Sequence, residues 1–415
     1  MDLKSSLRGL RSRNYRLFFI GQGVSLIGTW MQRLAMAWLV YRLTDSAFLL
    51  GLVGFTGLIP VFLLTPFTGV FVDRWNRHHI IIVTQALATL QAIALTFLVG
   101  THLITIWQII VLSLLLGIVN AFDVPARQSF VVMMVDRRED LPSAIALNSM
   151  MFNAARLVGP SLAGIALAAF GEWVCFLLNA LSFLAVIASL LAMRVPRHVR
   201  FPQHKNVIEG LREGLLYTWR NRPIRAVLIL LAVISLMGMP YTTLMPVFAK
   251  DILHGGPSTL GFLMATTGIG AIVAALWVAS RRAPELGREI PLATALFSVG
   301  VVAFGFSHIL WISLVLTVVM GFGQIVQNTM SNTVVQTVVD EDKRGRVMSL
   351  YTISLMGMAP FGNLLAGVMA DTLGATNTLM IDGVICLVAA AIFGSQLPSL
   401  RRAAGPMYAR MTVEG

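Results

Sequence analysis

Long apolar stretches separated by short polar connections run along nearly the whole chain of 415 residues. Each stretch offers about 20 mostly apolar positions, which is the length that a helix needs to cross a bilayer. The pattern therefore predicts an all-α membrane protein with twelve transmembrane helices. They are expected at residues 17–41, 47–72, 79–100, 106–128, 143–169, 173–193, 224–249, 258–280, 289–307, 310–334, 347–370 and 375–396.

Composition supports this prediction and excludes most other classes of protein. Apolar residues make up 57% of the chain and charged residues only 12%, whereas soluble domains carry about 25% charged residues. Too little polar surface remains to cover a large soluble core. The two cysteines, Cys175 and Cys386, lie inside apolar stretches and are interpreted as packing residues. We expect no metal site and no cofactor, because neither a His/Cys ligand cluster nor a phosphate-binding glycine loop is present.

The net charge of +12 would suggest a nucleic-acid partner in a soluble protein. Here most basic residues collect in alternate connections, which is the positive-inside distribution of membrane proteins. We therefore expect no nucleic-acid partner and a multi-pass protein of the cell (inner) membrane with both termini in the cytoplasm. The long apolar stretch near the start is interpreted as an uncleaved first span, since Gln22, Gln32 and Arg33 interrupt it.

The two halves of the chain repeat each other at a spacing of about 203 residues. Glycines 159, 164 and 171 fall opposite glycines 362, 367 and 374, and Asn179 falls opposite Asp382. Parallel repeats of this kind place a binding site near the bilayer midplane. The expected organisation is an N-terminal six-helix bundle (1–193), a cytoplasmic linker with a basic amphipathic helix (194–223), a C-terminal six-helix bundle (224–396) and a cytoplasmic tail (397–415).

The connection after the second span carries a cluster of one acid and two arginines. Gly69 is followed by Asp73, Arg74 and Arg77. This spacing resembles the signature Gly-x-x-x-Asp-Arg-x-x-Arg of the major facilitator superfamily, with Asn76 and His78 as departures. The resemblance implies that these residues form a gating motif at the cytoplasmic mouth.

The fifth span contains Gly159-Pro160 followed by Gly164. This sequence resembles the antiporter motif of the same superfamily, which marks exporters, although alanines 146, 155 and 163 replace three of its glycines. Small residues let helices approach closely, and proline can bend a helix. The resemblance implies an exporter.

The end of the fourth span reads Asp123-Val124-Pro125-Ala126-Arg127. Together with the fifth-span motif it resembles the enterobactin exporter and macrolide efflux branch, while Ser113 stands where the superfamily's fourth-span arginine is expected. A charged residue within a span usually marks function. Asp123 is expected either to pair with Arg74 or Arg77 in the gating motif, to carry a proton, or to be an ordinary helix-end acid.

Polar residues recur at helical spacing in several spans and predict faces that turn away from lipid. The resemblance implies that spans one, four, seven and ten line the substrate cavity; helix–helix hydrogen bonding is the alternative. The expected cavity residues are Gln22, Thr29, Arg33, Asn120, Arg156, Gln324 and Asn328. Arg33 and Arg156 would meet an anionic substrate group or a buried acid. Asp382 is, with Asp123, a candidate for proton coupling; the alternative for Asp382 is a hydrogen bond to a neighbouring helix.

These observations predict a secondary active transporter that exports small amphipathic molecules by alternating access and proton antiport. Drug-like or siderophore-like substrates are what the resemblance implies. An importer or a lysolipid flippase is the alternative within transporters, and a non-transporting receptor or scaffold the alternative outside them. The absence of a nucleophile or metal constellation predicts that the protein is not an enzyme. Its expected partners are the substrate, protons and membrane lipid, and it is expected to act as a monomer.

Overall fold

The computed structural model describes residues 8–194, 207–280 and 288–414, without the side chains of 66, 69–70, 73–74, 138, 207–211 and 404–414. Within this part the chain is helical. A short 3-10 turn, Arg8–Arg11, precedes thirteen helices. They are α1 (Arg13–Thr44), α2 (Ala47–Arg74), α3 (Arg77–Gly100), α4 (Ile106–Met134), α5 (Leu141–Phe170), α6 (Glu172–Leu191), α7 (Val207–Arg220), α8 (Arg222–Ile252), α9 (Pro257–Ala279), α10 (Glu289–Gly305), α11 (Leu310–Val338), α12 (Arg344–Leu373) and α13 (Ala375–Glu414).

Ten of these helices are long and apolar enough to cross a membrane, within the residues described. Helix α10 is apolar but shorter, and α1 does not reach the same hydropathy. Four arginines and a polar face lower the mean hydropathy of α1. The predicted membrane protein is thus confirmed at the level of an all-helical, multi-pass chain, whereas the count of twelve spans stays a prediction.

Local sequence signals set where the helices begin and end. Ser46 caps α2 by accepting a hydrogen bond from the Leu49 amide at 3.3 Å, and Thr105 with Gln108 forms a capping box at the start of α4. Gly171 and Gly374 end α5 and α12 with φ of +85° and +86°. These two glycines occupy matching positions of the sequence repeat, and both supply a backbone conformation that other residues rarely adopt.

The chain divides into two compact units. Unit 1 comprises residues 1–203 and 254–265, and unit 2 comprises residues 204–253 and 266–415. In unit 1, α1 packs against α5 and α6, α2 packs against α4, and α3 packs against α4 and α6. In unit 2, α10 packs against α11 and α13, and α8 packs against α13.

Close glycine contacts repeat in the two units. A Cβ on Gly117 of α4 would lie 2.7 Å from the Gly57 carbonyl oxygen of α2. Its repeat counterpart in α11, Gly321, lies against the carbonyl of Thr267 in α9. The two units therefore use glycine at equivalent crossings to bring helix backbones together.

Helix α7 lies in the linker where the sequence predicts an amphipathic helix, and it packs within unit 2. Gly214 and Thr218 are buried, while Leu215, Leu216 and Trp219 are exposed. The Tyr217 hydroxyl donates to the Asp340 carboxylate at 2.9 Å, and Glu213 pairs with Arg346. The cap expected from Asn206 and Glu209 lies outside the described residues and side chains.

The last helix is longer than expected. The pattern predicts a span that ends at 396 and a tail beyond it, but the backbone of α13 stays helical to Glu414. Pro398 lies only two residues beyond 396, yet the backbone continues through it as a helix, so this proline does not end α13.

Candidate functional site

A cluster of polar and charged side chains from α3 and α4 surrounds Asp123 in unit 1. Asp123 is 2% exposed. It accepts hydrogen bonds from the Thr84 hydroxyl at 2.9 Å and from the Gln85 amide at 3.0 Å, and it forms an ion pair with Arg127. A buried carboxylate requires such partners, because burying an unpaired charge is costly.

Arg127 is the partner that the sequence analysis missed. It follows Asp123 by four residues on the same helix, which is the spacing that brings an acid and a base together. The proposed alternatives, Arg74 and Arg77, lie at the end of α2 and the start of α3. The side chains of Asp73 and Arg74, and Gly69 itself, lie outside the described part of the structure. Arg77 is buried, and its guanidinium contacts the Met133 sulfur at 3.9 Å.

Four polar side chains from three helices form a second buried network in unit 1. The Gln32 amide donates to Gln91 at 3.1 Å and accepts from the Asn179 amide at 2.8 Å. Ser182 donates to the Asn179 side-chain oxygen at 3.0 Å. For this part of the α1 polar face, hydrogen bonding between helices is therefore what the structure shows.

The glycine of the fifth-span motif lies at the crossing of α5 and α1. A Cβ on Gly159 would lie 2.5 Å from the Trp30 Cβ and 3.0 Å from the Ile27 carbonyl oxygen. Gly164 lies further along α5, where a Cβ would approach the Gly261 Cα at 3.1 Å, also within unit 1. Pro160 is buried between these two glycines in the sequence. All three motif residues thus lie where the chain allows no bulk.

Arg33 lies on α1 three residues beyond Trp30, and its guanidinium stacks over the indole at 5.1 Å from the ring centroid. The Arg33 side chain is exposed, and its charge repels that of Arg127. Trp30 also meets Phe152 of α5 edge to face, with centroids 5.9 Å apart. Trp30 therefore connects the antiporter-motif helix to an arginine in the middle of the first helix.

The other expected cavity residues fall into two groups. Thr29, Asn120 and Arg156 are half-buried in unit 1, whereas Gln22 is buried there with its side-chain oxygen unpaired among the described residues. In unit 2, Gln324 is buried with its amide 2.8 Å from the Met239 sulfur, and Asn328 is half-buried.

Asp382 lies buried on α13 of unit 2, with 1% exposure, and its Oδ2 atom has no hydrogen-bond partner among the described residues. Its counterpart in the repeat, Asn179, is fully engaged in the unit 1 network. The same place in the fold thus holds a bonded amide in one unit and an unsatisfied carboxyl group in the other.

Unit 2 contains a feature that the sequence analysis did not use. The pentapeptide Ile-Ser-Leu-Met-Gly occurs at Ile234–Gly238 in α8 and again at Ile353–Gly357 in α12, and both copies form π-helical turns. The Ser235 hydroxyl donates to the Leu355 carbonyl at 2.8 Å. The repeated pentapeptide is the sequence feature that could have pointed to this pair of turns. π turns are often found at functional sites.

Comparison with known proteins finds relatives that align with most of the chain. A 27% identical relative, the staphyloferrin A transporter of Staphylococcus aureus, aligns with 91% of this chain and 95% of its own length. The multidrug efflux pump Tap of Mycobacterium tuberculosis is 28% identical over 92% of this chain and 91% of its own. Macrolide efflux protein A of Streptococcus pyogenes is 24% identical over 90% of this chain and 95% of its own length.

Solved structures show the same fold at low sequence identity. An inward-facing bacterial homologue of the human lysosomal transporter Spinster matches with a TM-score of 0.72 and 14% identity, over 95% of this chain and 98% of its own. A crystallised peptide transporter of the POT family matches with a TM-score of 0.75 and 14% identity, over 94% of this chain and 95% of its own. The family model described as transmembrane secretion effector matches residues 4–411. The chain therefore belongs to the transmembrane secretion effector family of the major facilitator superfamily, and it is a multi-pass membrane transporter.

Proposed function

We propose that this protein is a secondary active exporter of small amphipathic molecules in the bacterial cell membrane. It works by alternating access and exchanges its substrate for protons. The three relatives named above, which match nearly the full chain, are described as a siderophore transporter, a multidrug efflux pump and a macrolide efflux protein. Their names support drug-like or siderophore-like substrates for this chain.

The observation that carries the export direction is the position of Gly159. The antiporter-motif glycine is buried at the α1–α5 crossing, where even a methyl group would meet backbone and side-chain atoms. A tight crossing in this helix is what the resemblance to exporters requires. Gly164 lies on another side of α5, where it approaches Gly261 of α9, and Pro160 is buried next to Gly159 in the sequence.

The cavity residues are assigned roles by their exposure. Arg33, Thr29, Asn120 and Arg156 are half-buried or exposed along helices of unit 1 and are proposed to contact substrate. Gln22, Gln324 and Asn328 are proposed to supply hydrogen bonds, since each has a polar side chain within a span. Gly69, Asp73, Arg74 and Arg77, together with Asp123, remain the proposed gating motif.

Asp382 is the proposed proton carrier. Asp123 already has three donors around it and is assigned to the gating motif rather than to proton transfer. Asp382 lies buried with an unsatisfied oxygen atom, and an ionised carboxylate without partners is costly in such a place. We further propose a monomer surrounded by lipid, whose functional halves are 1–193 and 224–396, joined by the linker 194–223, with cytoplasmic termini.

The experiment that tests this proposal measures proton movement in proteoliposomes loaded with a pH-sensitive dye. A macrolide, a catecholate siderophore and a cationic dye are added in turn to vesicles that contain the wild type, Asp382→Asn or Asp123→Asn. Asp136→Asn serves as the matched control, because Asp136 is exposed at the cytoplasmic end of α4. Substrate flux is measured in parallel.

We expect at least one substrate to evoke proton flux in the wild type and in Asp136→Asn. Asp382→Asn should abolish the proton flux while the protein still binds substrate. Substrate flux without proton movement would refute antiport and leave an exporter driven by another gradient. A wild type that binds these compounds but moves none of them would favour a receptor or scaffold.

A further inference from the structure

Arg33 is a charged side chain in α1, one of the proposed spans, and no described acidic residue neutralises its charge. Its recorded interactions are the stacking on Trp30 and the repulsion by Arg127, and no described acidic group pairs with it. An arginine placed inside a membrane is expensive unless it faces water or a partner. The Arg33 side chain is exposed on α1, and the Trp30 indole covers one side of its guanidinium.

Arg127 adds a second positive charge to the same place. Short connections reverse the chain between successive helices, so α1 and α4 run in opposite directions. Side chains in a helix lean toward their own N-terminus, and the two guanidinium groups therefore extend toward each other along the membrane normal. Asp123 balances only one of the two charges. The cluster of Trp30, Arg33, Asp123 and Arg127 is left with one net positive charge.

The depth of the cluster separates it from the lipid headgroups. Arg33 lies 20 residues from the start of α1, which is about 30 Å along the helix axis, and 11 residues, about 16 Å, from its end. Arg127 lies about 10 Å from the opposite end of α4. Both side chains reach away from the membrane surfaces, toward a depth where a phospholipid headgroup does not normally reside.

We propose that Arg33 and Arg127, with the indole of Trp30, bind a carboxylate group of the transported molecule. This inference rests on the proposed transport function and deepens it, because it assigns a substrate class: small amphipathic organic acids. Guanidinium groups match the planar carboxylate with paired hydrogen bonds. The indole lies beside them and offers an apolar face to the rest of such a molecule.

The antiporter motif takes part in this site through Trp30. Gly159 leaves room for the Trp30 Cβ at the α1–α5 crossing, and Phe152 of α5 holds the edge of the same indole. A shift of α5 against α1 would move the ring on which Arg33 stacks. The motif that marks the export direction is thereby in contact with the residue that supports the carboxylate site.

The test compares two probes that differ only in the charged group. Dansyl-phenylalanine carries a carboxylate, and dansyl-phenylalaninamide replaces it with a neutral amide. Their binding to the purified full-length protein in neutral detergent is measured by fluorescence anisotropy, with protein-free micelles as the blank. The variants are Arg33→Gln, Arg33→Lys, and Arg16→Gln, a matched control at an exposed arginine of the same helix.

We expect the wild type and Arg16→Gln to bind the carboxylate at least about tenfold more tightly than the amide, which is the range for a hydrogen bond to a charged group. Arg33→Gln should remove this preference, so that the carboxylate and the amide bind about equally. Arg33→Lys should keep part of it, because the charge remains while the fork geometry is lost. A wild type that binds both probes equally, or neither, overturns the proposal, as does an Arg33→Gln variant that keeps the preference.

A second arm separates the two sources of an anionic group. The binding experiment is repeated in micelles that contain phosphatidylglycerol, which should leave the preference intact if the site takes a free carboxylate. Loss of the preference would identify a lipid headgroup as the occupant and refute the substrate assignment. The macrolide flux described above is measured independently. A protein that transports macrolide in vesicles but binds both probes equally in micelles supports the exporter and rejects this site.

Discussion

Gly159 shows how a single hydrogen atom in place of a side chain can decide the packing of two helices. We expect Gly159→Ala to force α1 and α5 apart, because the added methyl group would lie 2.5 Å from the Trp30 Cβ. The cost should be about 1–3 kcal/mol, as for other overpacked positions. It should appear as a lower melting temperature together with reduced efflux.

The control for this prediction is Gly345→Ala in α12. No atom lies within 4 Å of a Cβ at Gly345, and the intrinsic gain in helix propensity is of the same kind in both variants. Gly345→Ala should therefore melt at or above the temperature of the wild type. Equal melting temperatures and equal efflux for the two variants would contradict the role assigned to the Gly159 crossing.

The Asp123 cluster leads to a prediction about coupled charges. Asp123→Asn removes the partner of Arg127 and leaves two neighbouring arginines uncompensated. The expected cost is about 1–3 kcal/mol, the range for a buried charged group that loses its hydrogen-bond partner. Adding Arg33→Gln to this variant should restore part of the loss, because one of the two repelling charges is removed.

A double-mutant cycle of apparent melting temperatures measures this coupling. Arg16→Gln in the Asp123→Asn background is the matched control and should restore nothing, since Arg16 is exposed near the start of α1. Strictly additive effects of Asp123→Asn and Arg33→Gln would show that the two side chains are not energetically coupled.

At the residue scale, the sequence singled out charged and small side chains within the spans but did not predict most of their contacts. Asp123 and Arg33 are conspicuous as charges within apolar stretches, and Gly159 as part of a motif. That Gln32 meets Asn179, 147 residues away, depends on how α1 and α6 pack. The spacing of residues along one helix cannot predict such pairs between helices. The pair of Asp123 and Arg127, four residues apart on one helix, could have been predicted from spacing.

At the scale of elements, helix α7 provides a pH-dependent contact outside the membrane spans. Burial, and the neighbouring Asp340 carboxylate to which the hydroxyl donates, raise the pKa of Tyr217 above its ordinary value. The packed state of α7 thus favours the protonated phenol. The stabilisation is complete below the ordinary tyrosine pKa of about 10, and it is lost as the pH rises through the higher pKa of the packed state.

We expect α7 to detach from the α11–α12 connection above about pH 10. The measurement is the distance between spin labels attached at Arg212→Cys and Glu341→Cys, two exposed positions, between pH 7 and pH 11. The distance distribution should broaden at high pH in the wild-type background. Tyr217→Phe should be less well docked at pH 7 and should lack this pH response; an identical response in both proteins would remove Tyr217 as its source.

Helix boundaries were largely predictable, and the internal irregularities of helices were not. Glycines and capping residues such as Ser46 and Gly171 leave local signals that end or begin a helix. The π turns at Ile234–Gly238 of α8 and Ile353–Gly357 of α12 are joined instead by a hydrogen bond from Ser235 of one helix to the Leu355 carbonyl of the other. A backbone irregularity that is satisfied by a distant side chain has no periodic signature in its own segment.

At the scale of the whole molecule, the number of spans depends on α1 and α10, the two helices that fall short of the spanning criteria. Helix α1 runs along α6 from end to end, because Arg42 pairs with Glu172 at one end and Asn14 donates to the Arg194 carbonyl at the other. Helix α10 packs along both α11 and α13. Each is thus matched in unit 1 or unit 2 by an apolar helix that is long enough to cross.

Cysteine labelling tests both helices and the orientation of the termini. Both native cysteines are buried, and replacing them with serine gives a background of low reactivity. A membrane-impermeant maleimide applied to intact cells should label Leu43→Cys and His308→Cys, whereas Arg11→Cys and Arg288→Cys should react only after lysis. Arg11 and Arg288 lie on the predicted cytoplasmic side, at the opposite ends of α1 and α10 from Leu43 and His308.

If Arg11→Cys and Leu43→Cys reacted from the same side, α1 would not cross the membrane. The same result for Arg288→Cys and His308→Cys would show that α10 does not cross it. Since each helix that failed to cross would reverse every connection that follows it, the four reactivities together determine the number of spans and the side on which the gating motif lies.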